Sequence, residues 1–183
     1  MTITTYKWSL DRYHQAVCAG VFDNQPVELL RGEIITMPPE GEPHAYYNRE
    51  TGDYLRELLS TRAKVSEAHP ITLSDDSEPI LDLAIVKPLG ATYLEHHPYP
   101  EDIYWLIEFS NATLTKDLTT KKDTYAASGI QEYWVVNLQE QQLHIFRALK
   151  NAQYTSEEIL NSGTVSPIAF KDVRIQVSRL MTP

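Results

Sequence analysis

Two acidic residues interrupt stretches of the sequence that otherwise have the composition of buried β-strands. Asp82 stands inside "ILDLAIV" and Glu108 inside "IYWLIEFS". An unpaired carboxylate is costly to bury, so acids at such positions are usually paired, bound to a metal or placed where a strand leaves the core. Continuous apolar runs are typical of central strands covered on both faces, and two successive ones are expected side by side. The sequence therefore predicts that Asp82 and Glu108 converge on one site.

The helix predicted after the second strand carries lysines that could reach these carboxylates. In "TKDLTTKKDTYAAS" the buried stripe is centred on Leu118, and Lys121 and Lys122 both flank it. Asp117 lies four residues before Lys121, a spacing that allows an ion pair along a helix. Because this helix must pack back against the sheet, one lysine is expected to meet the carboxylates. Helix geometry alone leaves both lysines open.

Two carboxylates and a lysine around one site suit the hydrolysis of a phosphodiester. Asp and Glu oxygens bind Mg²⁺, which keeps several of its waters. The metal polarises a phosphoryl oxygen and makes a bound water more nucleophilic, while the lysine orients that water or offsets charge on the phosphate. Hydrolysis of a sugar also uses two acids, but it leaves the lysine unexplained and is the weaker alternative.

Length and composition predict one globular domain. The chain has 183 residues, of which 42% are hydrophobic and 22% charged, and it shows no internal repeat and no linker rich in Gly or Ser. A net charge of -9 argues against a protein that coats nucleic acid non-specifically, but it does not exclude a nuclease with a local cationic surface. The single cysteine and the lack of a signal-like or membrane-spanning apolar run predict a cytoplasmic protein with no membrane association.

Hydrophobic periodicity and turn residues predict the order helix, hairpin, helix, three strands, helix and further strands. An N-terminal helix is predicted over "WSLDRYHQAVCAG", a hairpin turn at Arg31-Gly32 and a longer helix from Pro43. Residues 89–102 are expected to form an irregular connection, and "VRIQV" a short C-terminal strand extension. The prediction is a single α/β or α+β domain over residues 1–183, with helices flanking a mixed sheet.

The sequence resembles the Uma family of restriction-endonuclease-like proteins, part of the PD-(D/E)xK nuclease superfamily. The matching stretches run from about "VELLRGEIITM" to "QQLHIFRAL", and "YAASGIQEYWVVN" is the most specific of them. The resemblance implies a restriction-endonuclease-like αβββαβ core and an endonuclease site that depends on Mg²⁺ or Mn²⁺. The family it implies often forms homodimers, so a homodimer is expected here. DNA is the expected substrate, and the sequence leaves RNA open.

By this resemblance Asp82 is the motif aspartate and Glu108 the second acid, and both are metal ligands. It assigns the lysine to Lys121 rather than to Lys122. In the usual superfamily pattern the lysine follows the acid by two residues, where this chain has Ser110; the Uma pattern has it on the following helix.

Other positions match the family less closely or carry smaller roles. Leu81 stands where the family usually has proline before the aspartate. The resemblance gives Glu33 an accessory metal role and Asp117 a supporting role for Lys121. His44, at the start of the longer helix, is either a histidine packed against the sheet or an accessory base.

Two functional hypotheses follow. The first is a metal-dependent DNA endonuclease, and the second is a non-catalytic, dimeric interaction module that keeps the nuclease fold. The acidic net charge and Ser110 favour the module. The retained pair of acids with a lysine favours the enzyme, because a scaffold gains little from buried charges.

Overall fold

The structure is a computed structural model that describes residues 4–111 and 113–182. Its helices in chain order are α1 (Leu10–Cys18), α2 (Glu42–Leu59) and α3 (residues 114–127). Its strands in chain order are β1 (Val27–Leu30), β2 (Glu33–Thr36), β3 (Lys64–Pro70), β4 (Ile80–Val86), β5 (Ile103–Ser110), β6 (Tyr133–Asn137), β7 (Gln142–Lys150), β8 (Gln153–Leu160), β9 (Thr164–Val165) and β10 (Ile175–Gln176). None of the described helices combines the length and the apolar character needed to cross a membrane.

Six of the strands form one mixed sheet in the order β3-β4-β5-β6-β7-β8. Neighbouring strands are antiparallel except for β5 and β6, which run parallel. Parallel neighbours need a long crossover, and α3 provides it. The run α2-β3-β4-β5-α3-β6 is the αβββαβ core expected from the sequence, so the predicted fold class is confirmed.

The hairpin before α2 is built as the sequence predicted. Strands β1 and β2 pair antiparallel, with Leu30 opposite Glu33. Arg31 and Gly32 between them both have positive φ, as tight two-residue hairpin turns require.

Side chains on the two faces of the sheet enter different parts of the core. On β5, Trp105, Ile107 and Phe109 pack on the side of α2, whereas Leu106 packs on the side of α3. Because side chains alternate along a strand, Glu108 points to the α3 side. The fold therefore directs this acid toward the helix that carries the lysines.

The connection between β4 and β5 is more regular than the sequence indicated. Residues 89–102 contain two 3₁₀ turns, Gly90–Leu94 and Pro100–Asp102. The hydroxyl of Tyr93 donates a 2.8 Å hydrogen bond to the carbonyl of Lys87, and its ring packs against the core on the α3 side. This anchor explains why the segment folds back onto the sheet.

The C-terminal strand is shorter than the sequence indicated. Only β10 within "VRIQV" pairs, with β9, and the chain then enters a 3₁₀ turn, Val177–Leu180. Val177 and Leu180 are buried in the core on the α2 side. The end of this segment therefore packs against α2 as a 3₁₀ turn and does not continue as a strand.

Candidate active site

Asp82 and Glu108 lie on adjacent antiparallel strands, β4 and β5. The strands pair Leu83 with Ile107, and the next step along this register brings Asp82 opposite Glu108. Oδ2 of Asp82 also accepts a 2.6 Å hydrogen bond from the backbone N–H of Phe109 on the neighbouring strand. The structure thus brings together the two acids that the sequence predicted would converge.

Lys121 reaches Glu108 inside the protein. Its Nζ donates to Oε1 of Glu108 at 2.7 Å, and the two side chains are only 7% and 5% exposed. The hydroxyl of Tyr125 donates to the same oxygen at 3.0 Å, and burial raises the pKa of this tyrosine so that it stays protonated. Lys122 instead places its Nζ 5.3 Å from the centre of the Phe146 ring. Of the two lysines left open by helix geometry, the structure directs Lys121 to the acid.

A wide turn within α3 delivers the lysine. Residues 117–121 form a π-helical turn between two α-helical segments, and the backbone N–H of Lys122 donates to the carbonyl of Asp117, five residues earlier. That carbonyl also accepts a 3.2 Å hydrogen bond from the hydroxyl of Tyr133. The side chains at both ends of the turn, Asp117 and Lys121, are buried. The turn therefore brings two charged groups into the interior.

Asp117 and Lys121, whose spacing allows an ion pair along a helix, make no salt bridge with each other. Oδ2 of Asp117 accepts hydrogen bonds from the hydroxyls of Ser110 at 2.6 Å and Thr113 at 2.7 Å, while the lysine turns to Glu108. In an α-helix, residues four apart stack on one face, and the wider π turn breaks that alignment. Burial raises the pKa of Asp117, and the positive charge of Lys121 opposes this shift. Ser110 thus supports the base of the turn that carries the lysine.

His44, near the start of α2, lies beside Asp82. Its Nε2 is 3.0 Å from Oδ2 of Asp82, and its Nδ1 is 2.7 Å from Oε1 of Glu40. Burial alone would lower the pKa of His44, but hydrogen bonds and charge interactions with both carboxylates raise it to about 9. At neutral pH the ring is therefore an imidazolium that donates to both acids. In this state it is a cationic partner of Asp82 rather than a base.

A further buried acid, Glu28 on β1, was missed by the sequence reasoning. It is 1% exposed, and its Oε2 lies 3.9 Å from Nζ of Lys121. The same oxygen accepts a 3.1 Å hydrogen bond from the backbone N–H of Ile80, and Oε1 accepts a 2.6 Å bond from Nζ of Lys116. The signal was an acid inside the apolar strand "VELL", the same criterion that selected the other two acids.

Glu33, to which the resemblance gives an accessory metal role, lies outside this group. It is exposed on β2, and its Oε1 is 2.5 Å from Nζ of Lys7. The hydrogen bond from Lys7 lowers the pKa of Glu33. Glu33 follows the hairpin turn directly, where the N-terminal segment passes, so a surface lysine is its partner. Glu28 is the hairpin acid that reaches the site.

Acidic side chains outnumber lysines within what we term the acid–lysine cluster. Its members are Glu28, Asp82, Glu108, Asp117, Lys116 and Lys121. Burial raises the pKa of Glu108 and nearby carboxylates raise it further, against the effect of Lys121. Burial would lower the pKa of Lys121, but the surrounding carboxylates, Glu108 first, raise it, so the amine is charged. A further cation at this site would relieve the repulsion between the acids.

The two strand acids form a donor set that fits Mg²⁺ or Mn²⁺. Oδ1 of Asp82 and Oε2 of Glu108 make no side-chain hydrogen bond to other described residues, because their partners use Oδ2 and Oε1. Mg²⁺ commonly takes one or two protein carboxylates and keeps several waters. Within residues 4–111 and 113–182, no three His, Cys, Asp or Glu side chains are grouped as a complete metal site.

Comparisons with known proteins relate the chain to a family and to a solved fold. A family model described as "Uma2: Putative restriction endonuclease" matches residues 10–178. The chain is similar to the crystal structure of a putative nuclease belonging to DUF820 from Anabaena variabilis ATCC 29413, with a TM-score of 0.69 and 15% identity over 86% of this chain and 90% of that chain. At this identity the likeness concerns the fold. No curated protein matches the chain.

Proposed function

The chain belongs to the Uma2 family, described as putative restriction endonucleases, and we propose that it hydrolyses phosphodiester bonds of DNA with a divalent metal. The acid–lysine cluster carries this proposal. Asp82 and Glu108 lie opposite each other on central strands, with the ammonium group of Lys121 at 2.7 Å from Glu108. Several buried carboxylates in one place are stable only with cations nearby. Hydrolysis of a phosphodiester requires an activated water and stabilisation of charge on the phosphate, which a metal and a lysine supply.

Asp82 and Glu108 would hold Mg²⁺ or Mn²⁺ through the oxygens that their protein partners leave available. When bound, such an ion polarises a phosphoryl oxygen and lowers the pKa of a coordinated water. Phe109 fixes Oδ2 of Asp82, and Tyr125 fixes Oε1 of Glu108. The two acids are thereby held in fixed orientations before any ligand arrives, which avoids the cost of ordering them later.

Lys121 supplies a positive charge next to the acids. Its ammonium group would orient the attacking water or offset charge that develops on the phosphate. Two residues have supporting roles in this proposal. His44 orients Asp82 and neutralises part of its charge, and Asp117 anchors the turn that carries the lysine through its hydrogen bond with Ser110.

A cleavage assay tests this function. Supercoiled plasmid, linear duplex, single-stranded DNA and RNA would each be incubated with the protein in Mg²⁺, Mn²⁺ or a chelator. We expect DNA cleavage that requires the metal and that Asp82→Asn abolishes without loss of the folded state, as judged by circular dichroism. Asp53→Asn is the matched control, because Asp53 is exposed on α2 and paired with Arg56. An Asp82→Asn protein that cuts as well as the parent would contradict the assignment.

A non-catalytic interaction module is the second candidate. One observation favours it: both acids already have cationic protein partners, since Glu108 contacts Lys121 and Asp82 contacts His44. Thermal unfolding at increasing Mn²⁺ concentration separates the two functions. A metal site raises the melting temperature in a way that Asp82→Asn removes, whereas a module shows no such rise.

A further inference from the structure

Glu28 is a buried acid to which the proposed mechanism gives no role. Its carboxylate is almost completely shielded from solvent, and its two oxygens face the ammonium groups of Lys116 and Lys121 and the backbone N–H of Ile80. A buried carboxylate is tolerated only with such compensation. The arrangement is therefore either a structural tie between the hairpin and the sheet or part of the site.

The position of Lys121 distinguishes Glu28 from a simple tie. The ammonium group has two carboxylates within 4 Å, Glu108 at 2.7 Å and Glu28 at 3.9 Å. The three groups come from three elements, since Glu28 is on β1, Glu108 on β5 and Lys121 on α3. Glu28 is also fixed independently of the lysine, because Ile80 at the start of β4 donates to it. Lys121 thus has a second, stationary carboxylate within reach.

A metal ion changes the balance between these two partners. A divalent cation held by Glu108 draws on the negative charge of that carboxylate and repels the ammonium group beside it. A buried ammonium group that loses its only counter-charge is strongly disfavoured. Glu28 supplies a counter-charge that the metal does not occupy.

We propose that Glu28 is a positioning residue of the nuclease site, which holds the ammonium group of Lys121 when Glu108 coordinates the metal. The inference rests on the proposed function. Glu28 acts through Lys121 and through the total charge of the cluster, and it contacts neither the metal nor the phosphate. Without it, metal binding would leave Lys121 with less negative charge around it, and the affinity for the metal would fall.

Lys116 allows a second test of the proposal, in which the metal affinity should change in the opposite direction. Its Nζ contacts Oε1 of Glu28 at 2.6 Å, whereas Lys121 lies nearest Oε2, and the side chain of Lys116 is 32% exposed. Removal of this lysine leaves Lys121 as the remaining cationic partner of Glu28 in the cluster and makes the cluster more negative. Glu28→Gln and Lys116→Met are therefore expected to change metal affinity in opposite directions, although both remove one member of the same ion pair.

The first test measures the Kd of Mn²⁺ by titration calorimetry on the folded proteins without DNA. Glu28→Gln should raise the Kd by about 10- to 100-fold, as is common for residues that support metal ligands. Lys116→Met should lower the Kd. Glu57→Gln, which removes an exposed acid on α2, should leave it unchanged. If Glu28→Gln and Lys116→Met both unfold more easily yet bind Mn²⁺ like the parent, Glu28 is a structural tie and the proposal is overturned.

The second test needs no metal. The unfolding free energies of Glu28→Gln, Lys121→Met and the double variant form a cycle that isolates the interaction between the two residues. We expect the double variant to lose less stability than the sum of the single losses. Additive losses would overturn the inference even if the parent cuts DNA. A parent that binds no Mn²⁺ would overturn the proposed function itself, whatever the cycle shows.

Discussion

Replacement of Lys121 by methionine tests the electrostatics of the site most directly. Methionine keeps the apolar stem of the side chain and removes the ammonium group, so packing changes little. Glu108, whose side chain is 5% exposed, then keeps Tyr125 as its side-chain hydrogen-bond donor. A buried carboxylate without a cation either stays charged at high cost or takes up a proton.

Protonation of Glu108 sets an upper limit to the loss of unfolding free energy in Lys121→Met. An unfolded glutamate has a pKa of about 4.3, so keeping Glu108 neutral in the folded variant at pH 7.5 costs about 1.36 × 3.2, or about 4 kcal/mol. This agrees with the 3–5 kcal/mol, roughly, that is lost when one partner of a buried ion pair is removed. Burial raises the pKa of Glu108 in the parent, and Lys121 opposes that rise. Removal of the lysine raises this pKa further above the unfolded value, so the loss relative to the parent grows as the pH rises. At pH 5.5 the cost should therefore be about 1.6 kcal/mol.

Denaturant unfolding from pH 5.5 to pH 8 measures this dependence. We expect Lys121→Met to lose stability with rising pH and Lys121→Met combined with Glu108→Gln to recover most of the loss. The control is Lys122→Met, which removes only a contact with Phe146 and should cost less than about 1 kcal/mol. A loss of the same size at every pH would refute the reasoning, because it would indicate a packing defect instead of a bare carboxylate.

Three further outcomes are expected. Without metal, the stabilising contribution of His44 should be complete below its unfolded pKa of about 6.5 and should disappear as the pH rises through its folded pKa of about 9. Burial alone would lower this pKa, but the two carboxylate partners of His44 outweigh burial. NMR titration of the imidazole and melting temperatures of His44→Gln measure this dependence. Ser110→Ala should cost about 1–2 kcal/mol in unfolding experiments and reduce cleavage, because it removes a buried donor from Asp117. Arg147→Met should destabilise the fold by roughly 3–5 kcal/mol without a change in Mn²⁺ affinity, because it leaves the fully buried Glu132 without its cation in a part of the core outside the acid–lysine cluster.

The homodimer implied by the resemblance stays a prediction. Light scattering coupled to gel filtration measures the mass in solution against the 20.9 kDa of one chain. A mass of one chain at all concentrations tested would contradict it.

The two strand acids could be found from the sequence because they break an otherwise apolar pattern. The antiparallel pairing of β4 and β5 then brings Asp82 and Glu108 together without further information. The choice between Lys121 and Lys122 could not be made by helical periodicity, because both flank the stripe of an ideal α-helix. The π-helical turn moves the register by one residue, and no propensity rule locates such a turn.

Glu28 was missed for a different reason. Its strand has only four residues, so an acid within it is easily assigned to the exposed side of a hairpin. Its closest cation, Lys116, follows 88 residues later in the chain. Local patterns contain no trace of a contact at that separation, and only the packing of α3 over the hairpin brings the two together.

The wide turn in α3 also affects which changes in length the site can tolerate. A π-helical turn holds one residue more than an α-helical turn, so the helix consists of two segments with separate registers. The first segment is attached to the end of β5 by the hydrogen bond between Asp117 and Ser110. The second segment is attached to Glu108 by the hydrogen bonds from Lys121 and Tyr125. Deletion of one threonine, Thr119 or Thr120, would turn this region into a plain α-helix and force one of the two attachments to give way. Insertions and deletions in this helix are therefore expected to be tolerated only where Lys121 still reaches Glu108, whatever the total length of the helix.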